Sequence, residues 1–209
     1  MGLFSSKPSI KEVNDWLLNI IEALEDSYED VDYNSISTIT AFTIINSFTS
    51  TYNVFSNIRN PNINKNIGEI FFEFKGYYEC LWQLVLIGKY EQEEVGKVFP
   101  LYQINSSGLF SSLFENSLNA KKLFSKAFSR EYDEKIPDFV INYIQDSSSD
   151  NSEVLSKRIN DIIRLDKSEL GVLSNIIKLD TIEALNMDLI KKFDLDKFDM
   201  LELPPEFYK

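Results

Sequence analysis

Apolar residues recur every three or four positions along three long stretches of the chain, a spacing that lines one face of a helix. These stretches are residues 10–24, 35–57 and 67–89. The 209 residues include only seven Gly and six Pro, too few for a sandwich or barrel built on many tight turns. The sequence therefore predicts an all-α protein.

The third stretch predicts the central buried helix of an irregular helical bundle. Its apolar residues cover most of the helix circumference: Ile70, Phe71, Phe74, Tyr77, Tyr78, Leu81, Trp82, Leu84 and Val85. The same stretch contains charged residues, namely Glu69, Glu73, Lys75 and Glu79. Four charges are too many for a membrane span, so we expect a soluble protein without a membrane partner. The single cysteine allows no intramolecular disulfide, and we therefore expect a reducing, cytoplasmic location.

Helix-capping signals stand at three places in the sequence. The pairs with capping-box spacing are Ser9 with Glu12, Asp166 with Glu169, and Asp180 with Glu183. The last two pairs predict a C-terminal group of short helices, with separate helices beginning after Asp166 and after Asp180. Between the ends of the chain, Gly96 and Pro100 predict a turn, and a long helix is predicted at residues 107–132.

The chain divides best at residues 147–152, whose sequence SSSDNS is typical of a linker. We predict a main helical body at residues 1–146 and a C-terminal subdomain at residues 153–209, packed on the body as one domain. The final residues contain Pro204 and Pro205, which cannot continue a helix, so an extended tail is expected.

The chain contains no histidine and a single cysteine, Cys80. Histidine is the usual general base at neutral pH and the commonest metal ligand. Its absence excludes Ser-His and Cys-His nucleophiles, the usual zinc sites and histidine phosphorelays. We therefore predict a protein that is not an enzyme and needs no cofactor.

The formal net charge of −12 disfavours DNA, RNA and anionic membranes as partners and favours a basic protein. We predict a protein-binding module or inhibitor. Toxin-neutralising immunity proteins and phage inhibitors of host defence are analogous, because acidity helps them to intercept basic effectors.

The densest group of acids lies at residues 22–32 and is a candidate landing site for that partner. Its members are Glu22, Glu25, Asp26, Glu29, Asp30 and Asp32. An alternative is a magnesium-dependent helical enzyme that uses these carboxylates. Residues 25–30 resemble the aspartate-rich motif of class I terpene synthases, but Arg164 and Ser168 stand where the second motif of that family needs a hydroxyl residue and a Glu.

Three further features are candidate contact sites. A basic helix stripe, which could meet a membrane or phosphates, consists of Lys122, Lys126 and Arg130. Gly2 stands in an N-myristoylation pattern, and acylation together with this stripe would make the protein a membrane-recruited adaptor. The tail offers an extended peptide with Pro204, Pro205, Phe207 and Tyr208.

Overall fold

The computed structural model describes residues 9–27, 35–113, 118–125 and 151–197. Within these ranges every regular element is helical, which confirms the predicted all-α class. The α-helices are α1 (Ile10–Ser27), α2 (Ile36–Asn57), α3 (Pro61–Lys65), α4 (Ile67–Ile87), α5 (Gln92–Leu113), α6 (Leu118–Phe124), α7 (Asn151–Ile163), α8 (Lys167–Asn186) and α9 (Asp188–Lys191). A short 3₁₀ turn follows at Leu195–Lys197.

The predicted capping boxes at Ser9 and Asp166 are both present. The Ser9 amide donates to Glu12 Oε2 over 2.8 Å, and the Glu12 amide donates to Ser9 Oγ over 3.2 Å. Asp166 accepts from the amide of Glu169, whose carboxylate accepts from the Asp166 amide in return. These local signals set the starts of α1 and α8.

The centre of the bundle is shared by α2 and α4. The predicted central helix, α4, packs on α2, α5, α6 and α7, while α2 also contacts α1, α8 and α9. Phe48 of α2 and Phe71 of α4 lie with ring centroids 4.3 Å apart, and Phe124 of α6 completes this aromatic cluster. The C-terminal helices lie against the same pair, with α7 on α4 and α8 on α2.

Helix α2 is buried although it is rich in hydroxyl residues. Its side-chain hydroxyls donate to the backbone carbonyl four residues earlier, at Thr40, Thr43, Ser47 and Thr51. Because each hydroxyl is satisfied inside its own helix, α2 can bury these positions without leaving a polar group unpaired.

The turn predicted at Gly96–Pro100 is wrong, and so is the predicted helix start at residue 107. Helix α5 runs unbroken from Gln92 to Leu113, and the turn lies at residues 88–91. Pro100 has no N–H to donate within the helix, but Val98 and Tyr102 beside it are fully buried. Packing of α5 on α2 therefore outweighs the local preference.

The cap predicted at Asp180 is also wrong, because α8 continues through it as one helix of 20 residues. Asp180 faces α2 and accepts a hydrogen bond from the side-chain amide of Asn53 over 3.0 Å. The Asp180 carboxylate therefore binds the distant Asn53 instead of capping a helix start, as the sequence pattern had predicted.

Helix α4 carries charged side chains into the core. Lys75 Nζ donates to Glu79 Oε1 over 2.5 Å, and the Tyr102 hydroxyl donates to the same oxygen. Nearer its N-terminus, Glu73 accepts from Arg158 of α7. Within the described ranges, no helix is long and apolar enough to cross a membrane.

The only cysteine of the chain lies beside this network. Cys80 is buried on α4, and its burial, with a smaller effect of the Glu79 carboxylate, raises the pKa of its thiol to about 12. The thiol is therefore protonated and packed as a small apolar group.

Candidate functional site

The acidic residues predicted as a landing site fall only partly within the described chain. Glu22 is exposed on α1, and Glu25 and Asp26 belong to the last turns of the same helix. Glu29, Asp30 and Asp32 lie outside the described residues. The structure thus places the first half of the segment at the C-terminal end of α1.

The other predicted contact residues lie mostly outside the described residues. Lys122 is exposed on α6. The residues outside the described ranges are Gly2, Lys126, Arg130, Pro204, Pro205, Phe207 and Tyr208.

Helix α8 has an exposed apolar face, which we call the outer face and define as Val172, Leu179 and Ile182. Leu179 and Ile182 stand seven and ten positions after Val172, so the three residues share one side of the helix. Their side chains are 39%, 66% and 58% exposed. Leu185, three positions after Ile182, is also partly exposed, at 37%.

The opposite side of α8 packs on the core. Leu173, Ile177 and Ala184 are fully buried there. The Thr181 hydroxyl lies 2.9 Å from the Tyr77 hydroxyl of α4, and it also donates to the Ile177 carbonyl. Apolar contacts and a polar contact to α4 thus hold α8 in place, so the outer face is presented on a rigid element.

A small cavity lies between α2 and α8. Its volume is about 130 Å³, and it is lined by Ile45, Asn46, Thr49, Ser50, Asp180, Glu183 and Met187. Asn46 donates to the Phe42 carbonyl over 2.6 Å, and its amide nitrogen lies 3.3 Å from the sulfur of Met187. The lining therefore has a polar side and an apolar side.

Asp180 is the buried acid of this cavity. Its side chain accepts from Asn53 through Oδ1, while Oδ2 is buried and has no hydrogen-bond partner among the described residues. Burial raises the pKa of the Asp180 carboxyl above its usual range, and the nearby charge of Glu183 raises it further. The hydrogen-bonding side chains of Ser50 and Asn53 lower this pKa, but by less than burial raises it. An incompletely paired buried carboxylate is a frequent mark of a binding site.

The sequence did not reveal either feature: the spacing of Asp180 and Glu183 predicted a helix cap, and the apolar residues of α8 indicated only a helix. Across the ranges that the structure describes, no three His, Cys, Asp or Glu side chains converge as in a metal site.

Comparison with protein-family models, with curated proteins and with solved structures finds no match to this chain. The outer face of α8 and the cavity between α2 and α8 are the features from which we infer a function.

Proposed function

We propose that the protein is a non-enzymatic binding module or inhibitor that engages a basic protein through the outer face of α8. The observation that supports this most directly is the exposure of Leu179 and Ile182, each more than half accessible, on one side of a well-packed helix. Large apolar side chains grouped on one face are typical of an interaction surface.

The outer face can supply binding energy. Full burial of a Leu, Ile or Val side chain contributes about 1.5–3 kcal/mol. Leu179 and Ile182 together could therefore change the dissociation constant by a hundredfold or more, on the scale of about 1.4 kcal/mol per factor of ten.

The charge of the chain selects the class of partner. A net charge of −12 favours association with a basic surface. The last turn of α1 has no basic residue and contains Glu25 and Asp26, at the end where the helix dipole is already negative. This end of α1 is a source of negative potential that would steer a basic partner toward the protein.

A comparison of two surface variants tests the proposal. The double variant Leu179→Ser/Ile182→Ser removes the outer face, and Ile104→Ser removes a half-exposed apolar residue from α5 as a matched control. We expect the wild type and the control to capture the same basic protein from the native host. The purified pair should form a complex of defined stoichiometry, whose affinity the double variant lowers at least roughly a hundredfold.

Three results would overturn the proposal. The double variant could bind the purified partner as tightly as the wild type does. The captured protein could be acidic. Sedimentation could show that the outer face joins two copies of this chain, in which case the double variant would be monomeric while the control is not.

The acidic segment should act on the rate of association. Neutralising Glu25, Asp26, Glu29 and Asp30 together should slow association at low salt, and the effect should shrink near about 0.5 M salt because exposed charges are screened. Surface plasmon resonance at two salt concentrations measures this. An unchanged association rate under both conditions would exclude the segment as the landing site.

A further inference from the structure

We infer that the cavity between α2 and α8 receives the ammonium group of a lysine side chain from the basic partner. The inference rests on the proposed function, since it specifies which chemical group of the partner is recognised. It is carried by Asp180 Oδ2, a carboxylate oxygen that lines the cavity and is buried without a hydrogen-bond partner among the described residues.

The carboxylate is placed for a cation. The Asp180 side chain is only 8% exposed, so water does not compensate its charge as it would at the surface. Its other oxygen is held by Asn53, which fixes the direction of the group. Glu183 lines the same cavity and adds a second negative charge. A bound ammonium would supply the missing donor and offset one of the two negative charges.

The size and lining of the cavity favour a lysine side chain. A volume of about 130 Å³ is about four times the space that one water molecule occupies in the liquid. Ile45 and Met187 provide apolar contacts for methylene groups, while Ser50 and Thr49 provide hydroxyl oxygens that can accept from an ammonium. A compact ammonium at the end of a flexible aliphatic chain matches this arrangement better than the broad planar guanidinium of arginine does.

The cavity adjoins the outer face. Glu183 follows Ile182 directly and stands four residues after Leu179, so it lies on the same side of α8, and its side chain is exposed. Because Glu183 also lines the cavity, a partner seated on Leu179 and Ile182 could extend one side chain past Glu183 toward Asp180.

A small amine tests the cavity without the partner. The probe is n-butylammonium chloride, with n-butanol as a neutral control of similar size and potassium chloride as a control for ionic strength. The chain has three methionines, so the ¹³C-methyl signal of Met187 can be assigned with a Met187→Leu variant and followed by NMR. We expect n-butylammonium to shift this signal with a millimolar dissociation constant, typical of a ligand of few atoms.

The variants show which group is responsible. Asp180→Asn should weaken n-butylammonium binding about tenfold, as expected for the loss of a charge-assisted hydrogen bond. Asp188→Asn, which removes an exposed carboxylate that does not line the cavity, should leave the binding unchanged. The inference is overturned if n-butylammonium gives no shift, if n-butanol or potassium chloride gives the same shift, or if Asp180→Asn binds the amine as the wild type does.

The partner then separates this inference from the proposed function. We expect Asp180→Asn to weaken the purified complex, and replacement of one partner lysine to weaken it equally, with no further loss when both changes are combined. If the outer-face variant loses the partner while Asp180→Asn retains it at full affinity, the proposed function stands and the inference fails. If n-butylammonium binds but no basic partner exists, the proposed function is wrong, and so is the inference that a partner lysine occupies the cavity.

Discussion

Two buried carboxylates, Glu79 in α4 and Asp180 in α8, are treated differently by the fold. Glu79 is fully buried and accepts from both Lys75 and Tyr102, so its charge is neutralised and hydrogen-bonded inside the core. Asp180 accepts from the neutral amide of Asn53 and has one oxygen without a partner among the described residues. The difference indicates that Glu79 completes a structural network, whereas Asp180 is left open beside a surface.

The largest effect should follow from breaking the completed network. Glu79→Ala removes the buried carboxylate that accepts from both Lys75 and Tyr102. We expect a loss of about 3–5 kcal/mol in the free energy of unfolding, measured by urea denaturation. The double variant Lys75→Met/Glu79→Leu removes both charges and should recover most of that loss. If the single variant is as stable as the double variant, the pair is not the structural element described above.

A smaller difference in stability is expected between variants of two tyrosines, Tyr102 beside Glu79 and Tyr78 beside Ser50 in the Asp180 cavity. Tyr102→Phe removes a hydroxyl that donates to the Glu79 carboxylate, and we expect a loss of about 1.5–3 kcal/mol, typical of a hydrogen bond to a charged group. Tyr78→Phe removes a hydroxyl paired with Ser50, 2.7 Å away, for which about 0.5–1.5 kcal/mol is typical. Denaturation of both variants under one condition checks the order, and equal losses would contradict it.

The smallest effect on stability should be that of Asp180→Asn, and its sign should depend on pH. Because the pKa of Asp180 is raised in the folded protein, the folded state keeps its proton at pH values where the unfolded chain has released it. The contribution of this group to stability is therefore greatest at low pH and is lost as pH rises through the folded pKa.

The Asp180→Asn side chain cannot ionise, and its amide oxygen can still accept from Asn53. The variant should therefore not lose stability as the pH rises. We expect melting temperatures of the variant to equal or exceed those of the wild type at neutral pH, with the difference shrinking toward acidic pH. Glu183→Gln, measured in parallel, separates the contribution of the neighbouring carboxylate. A variant much less stable than the wild type at neutral pH would show that the Asp180 charge is structural.

The sequence predicted those features that depend on local spacing. The caps at Ser9 and Asp166 and the apolar helices α2 and α4 follow from residues within one or two turns of each other. The sequence failed where a distant partner decides, as at Asp180, whose partner Asn53 is 127 residues away. It failed similarly at Pro100, which remains helical because α5 is packed on α2. The charges of α4 were visible in the sequence, but nothing local showed that Lys75 and Glu79 would meet Tyr102 in the core.

The buried position of Cys80 allows its thiol to report when the core of the protein opens transiently. A thiol with a pKa of about 12 that is shielded by the core has almost no thiolate at neutral pH and no access to a reagent. Iodoacetamide should therefore modify it only in molecules whose core has transiently opened, and the modification rate counts these openings. Because Cys80 adjoins Glu79, alkylation followed by mass spectrometry should be much faster in Glu79→Ala and nearly unchanged in Leu179→Ser/Ile182→Ser.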